Sequence, residues 1–253
     1  MATGGGDWLA PLPVRRIEQS PYAVLPPAAD WPLTIPAVAQ VLDAGLDLSA
    51  CTILVGDNGS GKSTLVEAIA MAFGLNPEGG STGARHRTRD TESGLWDWLR
   101  LVRGAGASKW GYFVRAETMH GLFTYLDTSA ADSPRSMDPE FHARSHGESF
   151  VSLLSTRRFD GDGLFVWDEP EAGLSFPAQL HLVAELAGMM ARPGTQVLMA
   201  THSPILAAVP GATILQLSEA GIEQVEWGDL EVVGNYRRFL DGPERFLRHV
   251  LSD

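Results

Sequence analysis

The chain has 253 residues, 44% of them hydrophobic, and a formal net charge of −12 at pH 7. That length and apolar content support one substantial core without requiring several independent domains, and the acidic balance opposes a sequence-independent grip on DNA or anionic lipid, which needs clustered Lys and Arg. Cys51 is the only cysteine, which excludes an intrachain disulfide and points to a reducing compartment.

In chain order, "MATGGGDWLAPLPVRRIEQ" offers no continuous apolar run of the kind a secretory signal needs. Residues up to about 45 are rich in proline and read as an irregular entry with one short strand around "VRRIE". Short apolar or β-branched runs follow as "CTILV", "GYFVR", "GLFVWD", "TQVLMAT" and "ATILQLS", most of them separated by helically patterned segments such as "KSTLVEAIAMAFG" and "PAQLHLVAELAGMMA". Strands that are apolar throughout and alternate with helices predict an α/β fold with a mostly parallel sheet covered on both faces. The arginines of "ARHRTRD", Arg85, Arg87 and Arg89, read as a solvated loop in preference to a binding surface. The segment from about 117 to 160 lies between two sheet strands and reads as a small helical subdomain embedded in a single domain, 1–253. Within it, Ser145 stands three residues before Glu148, the spacing of a helix capping box. The most apolar long stretch, "VLMATHSPILAAVPGATILQL", is broken by His202, Ser203 and two prolines, so no span of about 20 apolar residues exists and a soluble, cytoplasmic protein is expected.

Chemistry concentrates in three places. "ILVGDNGSGKST" sets Gly56, then four residues, then Gly61, Lys62 and Ser63, after a strand and at the start of a helix, the context a phosphate loop requires. Glycines let backbone N–H groups curl around a phosphate, the helix N-terminus adds its positive field, Lys62 reaches phosphate oxygens and Ser63 offers a hydroxyl to Mg²⁺. Only two lysines occur, Lys62 and Lys109, against 17 arginines, and one of them fills this slot. Second, "GLFVWDEPEAGLS" carries Asp168 and Glu169 to a strand's carboxyl end, where ligands of open α/β sheets bind; Asp168 suits the metal and Glu169 suits the base that polarises water. An acidic pair can also simply end a strand before Pro170. Third, "QVLMATHSPIL" ends the next strand in Thr201, His202 and Ser203, which places His202 to meet a terminal phosphate or to serve as a structural hydrogen-bonder. None of the three asparagines precedes a lysine, so the guanine-reading motif is missing and ATP is favoured as the nucleotide.

These motifs, with Ser145-His146-Gly147-Glu148-Ser149 between the first two, occur in the order used by ATP-binding-cassette (ABC) ATPases. The chain resembles the small stand-alone ABC-type predicted ATPases of bacteria, AAA family members related to the heads of RecF, SMC and Rad50 proteins. The likeness runs from "WPLTIPAVAQ" to "GPERFLRHVL". It implies a P-loop NTPase with an ABC-type core, nucleotide contacts from Gly56, Asn58, Gly59, Ser60, Gly61, Lys62, Ser63 and Thr64, a metal held by Ser63 and Asp168, and catalysis by Glu169, His202 and Lys62. It also implies a head-to-tail homodimer in which Ser145, Gly147 and Glu148 meet the partner copy's nucleotide. Gly173 and Ser175 match the D-loop, and Ser175 with Pro177 also reads as a helix start. Glu117 stands where the family's Mg²⁺-contacting glutamine is expected, or else caps a helix. An upstream aromatic, Tyr22 or Trp31, is expected against adenine. The expected function is Mg²⁺-dependent ATP binding and hydrolysis driving an unidentified protein partner, in DNA maintenance by likeness although the charge does not indicate DNA. The alternatives are an ATP-binding subunit for a separate membrane transporter and a non-hydrolysing nucleotide switch.

Overall fold

The structure is a computed structural model; it describes residues 11–82, 93–118, 153–154 and 156–251. Its centre is a seven-stranded sheet in the order β10-β9-β3-β8-β7-β6-β4. The ranges are β3 (Cys51–Gly56), β4 (Gly80–Ser81), β6 (Gly111–Arg115), β7 (Gly163–Asp168), β8 (Thr195–Thr201), β9 (Thr213–Ser218) and β10 (Gly221–Val225). From β9 through β6 every pairing is parallel, while β10 and β4 close the two edges antiparallel. The fold is therefore α/β with a largely parallel sheet, as the alternation of apolar runs and helices predicts.

The central strands are mostly apolar because both faces are covered. Successive residues serve opposite cores: Ile53, Phe165, Trp167 and Met199 join one cluster, Leu54, Val166, Leu198 and Ala200 the other. The first core is filled by α4 (Phe176–Met190) through Leu182, Leu186 and Met189, and by Phe159, whose ring stacks on Trp167 at 5.3 Å between centroids. The second core receives α1 (Pro36–Ala44) through Val38 and Val41, and α2 (Lys62–Phe73) through Leu65, Val66 and Ile69. Two further helices, α5 (Glu231–Asp241) and α6 (Pro243–Val250), end the described chain, and α3 (Leu95–Trp98) is a single turn. Among the described residues no helix is long and apolar enough to cross a membrane.

The proline-rich entry is more ordered than its composition suggests. The expected strand forms as β1 (Arg16–Gln19), but it is the middle of a small antiparallel sheet with β2 (Leu46–Asp47) and β5 (Leu99–Val102). Gln196, fully buried on β8, ties this sheet to the main one: its amide accepts from Val14 N–H at 2.8 Å and donates to Val14 O at 2.6 Å and Ser49 O at 2.9 Å. The embedded segment is described only at its ends, a single 3₁₀ turn at Ala116–Thr118, helical residues Leu153 and Leu154, and a second 3₁₀ turn at Arg157–Phe159. The remainder of the expected helical subdomain lies outside the described residues, as do Arg85, Arg87 and Arg89.

Candidate functional site

The carboxyl ends of β3, β8 and β7 lie side by side, and each delivers part of one cluster. From β3 the chain turns through Asp57–Ser60 into α2, which is capped by Gly61 at φ 96°. A Cβ on Gly61 would sit 2.5 Å from Ile35 Cγ2, and one on Gly56 would sit 2.4 Å from Leu217 O, so close approach requires both glycines, and conformation requires Gly61 as well. Asn58, Gly59 and Ser60 form the tip of the loop; Lys62, Ser63 and Thr64 form the first turn of the helix, whose leading N–H groups have no intrahelical partners. Lys62 is 3% exposed and its Nζ donates to Gly56 O at 2.8 Å and Asp57 O at 2.9 Å. Burial lowers its pKa, opposed by the carboxylates of Glu169, Asp168, Asp57 and Glu171.

Asp168 ends β7, almost wholly buried, and burial pushes its carboxyl up to about 6 against a hydrogen bond from Ser63 and the charge of Arg115. Arg115 Nε stands 3.5 Å from Asp168 Oδ2, and Oδ1 is buried with no hydrogen-bond partner. Such an orphaned oxygen is costly unless something takes it up. A hydroxyl and a carboxylate are the hard-oxygen donors Mg²⁺ uses alongside substrate phosphates, so Ser63 and Asp168 fit that ion. Among the described residues no group of three or more His, Cys, Asp or Glu side chains gathers to hold a metal alone.

Glu169 follows at φ 52°, the one described non-glycine residue at positive φ. Its N–H donates to Ala200 O at 2.9 Å on β8, and its Oε1 is 3.1 Å from His202 Nε2. His202 is itself held by its backbone N–H, which donates to Glu171 Oε1 at 2.6 Å. Ser203 Oγ donates to Gln179 Oε1 at 2.6 Å, and Gln179 Nε2 donates to Leu174 O at 3.1 Å. The end of β8 is thereby fastened to the Glu171–Ser175 loop and to α4. Gly173 lies in that loop at φ 77°, and Ser175 occupies the N-cap position of α4 with Pro177 in the first turn, although its side chain makes no cap bond. The helix-start reading of Ser175 thus has the right position without the side-chain bond.

The structure therefore brings together Lys62, Ser63, Asp168, Glu169 and His202. Glu117 is exposed and pairs with Arg115 at 3.4 Å. Ser145, Gly147 and Glu148 lie outside the described residues. Tyr22 and Trp31 are 91% and 58% exposed, and neither lines the cavity of about 830 Å³ beside the loop. That cavity runs from His202 over Asp57–Ser60 to Gln216–Ala220, Glu231 and Tyr236. Sequence reasoning missed Arg115 and Tyr236, and the hold of Glu171 on His202. Arg115 had a readable signal, a charge closing an apolar strand; Glu171 stands two residues beyond Glu169 but meets His202 only once β8 pairs with β7, and Tyr236 arrives from a distant segment.

A phosphate loop between strand and helix, with an acidic pair ending a parallel strand two places away in the sheet, is the arrangement of a P-loop nucleotide site. Two family models match segments of the chain: residues 40–97 match one described as "AAA domain", and residues 149–208 match one described as "AAA domain, putative AbiEii toxin, Type IV TA system". Among solved structures, the SMC head domain from Thermotoga maritima is 13% identical, with 85% of this chain and 100% of that one covered at a TM-score of 0.48. CbiO1 of Clostridium perfringens, part of the ABC transporter complex cbiONQ, is 15% identical over 83% of this chain and 90% of its own, at a TM-score of 0.43. No curated protein matches the sequence.

Proposed function

We propose that the chain binds and hydrolyses ATP with Mg²⁺, and that two copies clasp the nucleotides head to tail and so act on a protein partner. The observation that carries this reading is the convergence of Lys62, Asp168, Glu169 and His202 at the ends of three adjacent strands. The N–H groups of Gly59 to Thr64 and the α2 N-terminus favour the phosphates. Lys62 would exchange its two loop carbonyls for phosphate oxygens. Magnesium, held by Ser63 and Asp168, supplies neutralising charge to those oxygens when bound. Glu169 takes the proton of the attacking water as its oxygen bonds to the terminal phosphorus and the bridging oxygen leaves with ADP; His202 fixes Glu169 and faces the transferred group. Ser145, Gly147 and Glu148 of the second copy complete the site, with Gly173 and Ser175 between the subunits. Glu117, paired with Arg115, would stand in for the family's glutamine.

Size-exclusion chromatography and turnover assays test this together. Glu169→Gln should retain ATP, lose turnover by about 10²-fold or more, and accumulate as a dimer with ATP and Mg²⁺ while the unaltered chain stays mostly monomeric. Lys62→Ala should lose both binding and turnover. A Glu169→Gln chain that binds ATP yet stays monomeric at high concentration removes the clasp; a Lys62→Ala chain that still turns over removes the phosphate-loop reading.

A further inference from the structure

The cavity beside the phosphate loop has two chemically different ends, and they match the two ends of a nucleotide. In the sheet order β9-β3-β8-β7, the acid-base pair Glu169 and His202 lies on one side of β3, with β7 two strand spacings, about 10 Å, away. A triphosphate whose terminal phosphate faces Glu169 can run over the loop toward β9, the direction in which the cavity extends. There the cavity continues past Gln216 and Glu219 to Glu231 and Tyr236 on α5. Two carboxylates at that end repel phosphate and accept from donors, which a ribose and an exocyclic amine supply and a polyphosphate chain does not. Glu231 N–H donates to Gln216 Oε1 at 2.9 Å, which fixes the Gln216 amide and leaves its nitrogen to donate. Tyr236 is 54% exposed and is among the residues that line the cavity. The volume, about 830 Å³, is that of a small-molecule site.

We infer that the nucleoside end of the bound nucleotide is held between β9 and α5, with the Tyr236 ring against the base and Glu219 and Glu231 on its donor groups, in place of the upstream aromatics Tyr22 and Trp31. The inference rests on the phosphate-loop reading, and tripolyphosphate separates the two because it carries the phosphates without the nucleoside. Calorimetric titration of the full chain with ATP and with tripolyphosphate, each with Mg²⁺, should show ATP bound at least about tenfold more tightly. Tyr236→Ala should weaken ATP about tenfold and leave tripolyphosphate within about twofold, and Tyr236→Phe should restore ATP binding. Equal binding of the two ligands by the unaltered chain overturns the inference, as does ATP affinity unchanged in Tyr236→Ala or a loss shared equally by both ligands. Failure of the unaltered chain to bind either ligand overturns the phosphate-loop reading and the inference with it.

Discussion

Glu169 is where local backbone preference and placement conflict. A non-glycine residue in the left-handed region costs about 1 kcal/mol or more and persists only when its surroundings fix it. Here both flanks are fixed: Glu169 N–H donates to Ala200 O, and Glu169 O accepts from Ala172 N–H at 3.1 Å. The turn so made sets the carboxylate against His202 instead of continuing along the strand. Glu169→Gly should therefore raise stability by about 1 kcal/mol in urea unfolding while abolishing turnover. Glu169→Gln keeps the strained backbone and should gain none of that stability. Equal stability for the glycine and glutamine variants would show that the conformation carries no strain.

Elements whose register is set by burial on both faces were legible in advance: "GYFVR", "GLFVWD" and "TQVLMAT" coincide with β6, β7 and β8 residue for residue, and the order of Asp168, Glu169 and His202 at adjacent strand ends followed from them. Legibility failed where pairing is distant or an element is short. β5 pairs with β1 across more than 80 residues, β2 and β4 have two residues each, and the hairpin strand β10 is half polar. Distance in sequence hid Tyr236, carried to the loop by a C-terminal helix, whereas Arg115 was readable as a charge closing its strand and only its nearness to Asp168 had to come from the β6–β7 register. Gln196 is the clearest element-level case, a polar residue in a buried strand that looks like an error until Val14 and Ser49 arrive. Gln196→Leu strands the Val14 N–H and C=O in the interior, and should cost roughly 3 kcal/mol by denaturant unfolding. Loss below about 1 kcal/mol would mean that the small sheet detaches without penalty.

At the scale of the whole molecule, two long-range properties follow from burial and charge. Burial pushes the Cys51 thiol up from 9.0 to about 12, so between those values the native chain keeps a proton that the unfolded chain has lost, and this group's contribution to stability declines as pH rises through that window. Alkylation of Cys51 at pH 8 should consequently report global unfolding, with a native rate suppressed by several orders of magnitude relative to the denatured chain. The second property is the charge of −12, which each bound triphosphate makes more negative. In the proposed head-to-tail pair, closure of two such chains would be opposed over the whole surface and favoured only within the clefts, by Lys62, the helix N-termini and Mg²⁺. Screening acts unequally on these: the Debye length falls from about 30 Å at 0.01 M salt to about 8 Å at 0.15 M, which removes most of the surface repulsion and little of the contact between buried partners. Dimerisation of Glu169→Gln with saturating ATP and constant Mg²⁺ should therefore tighten severalfold as monovalent salt rises across that range, a direction readable by sedimentation velocity. Weakening with salt would mean that complementary surface charges, and not the nucleotide clefts, hold the two copies together.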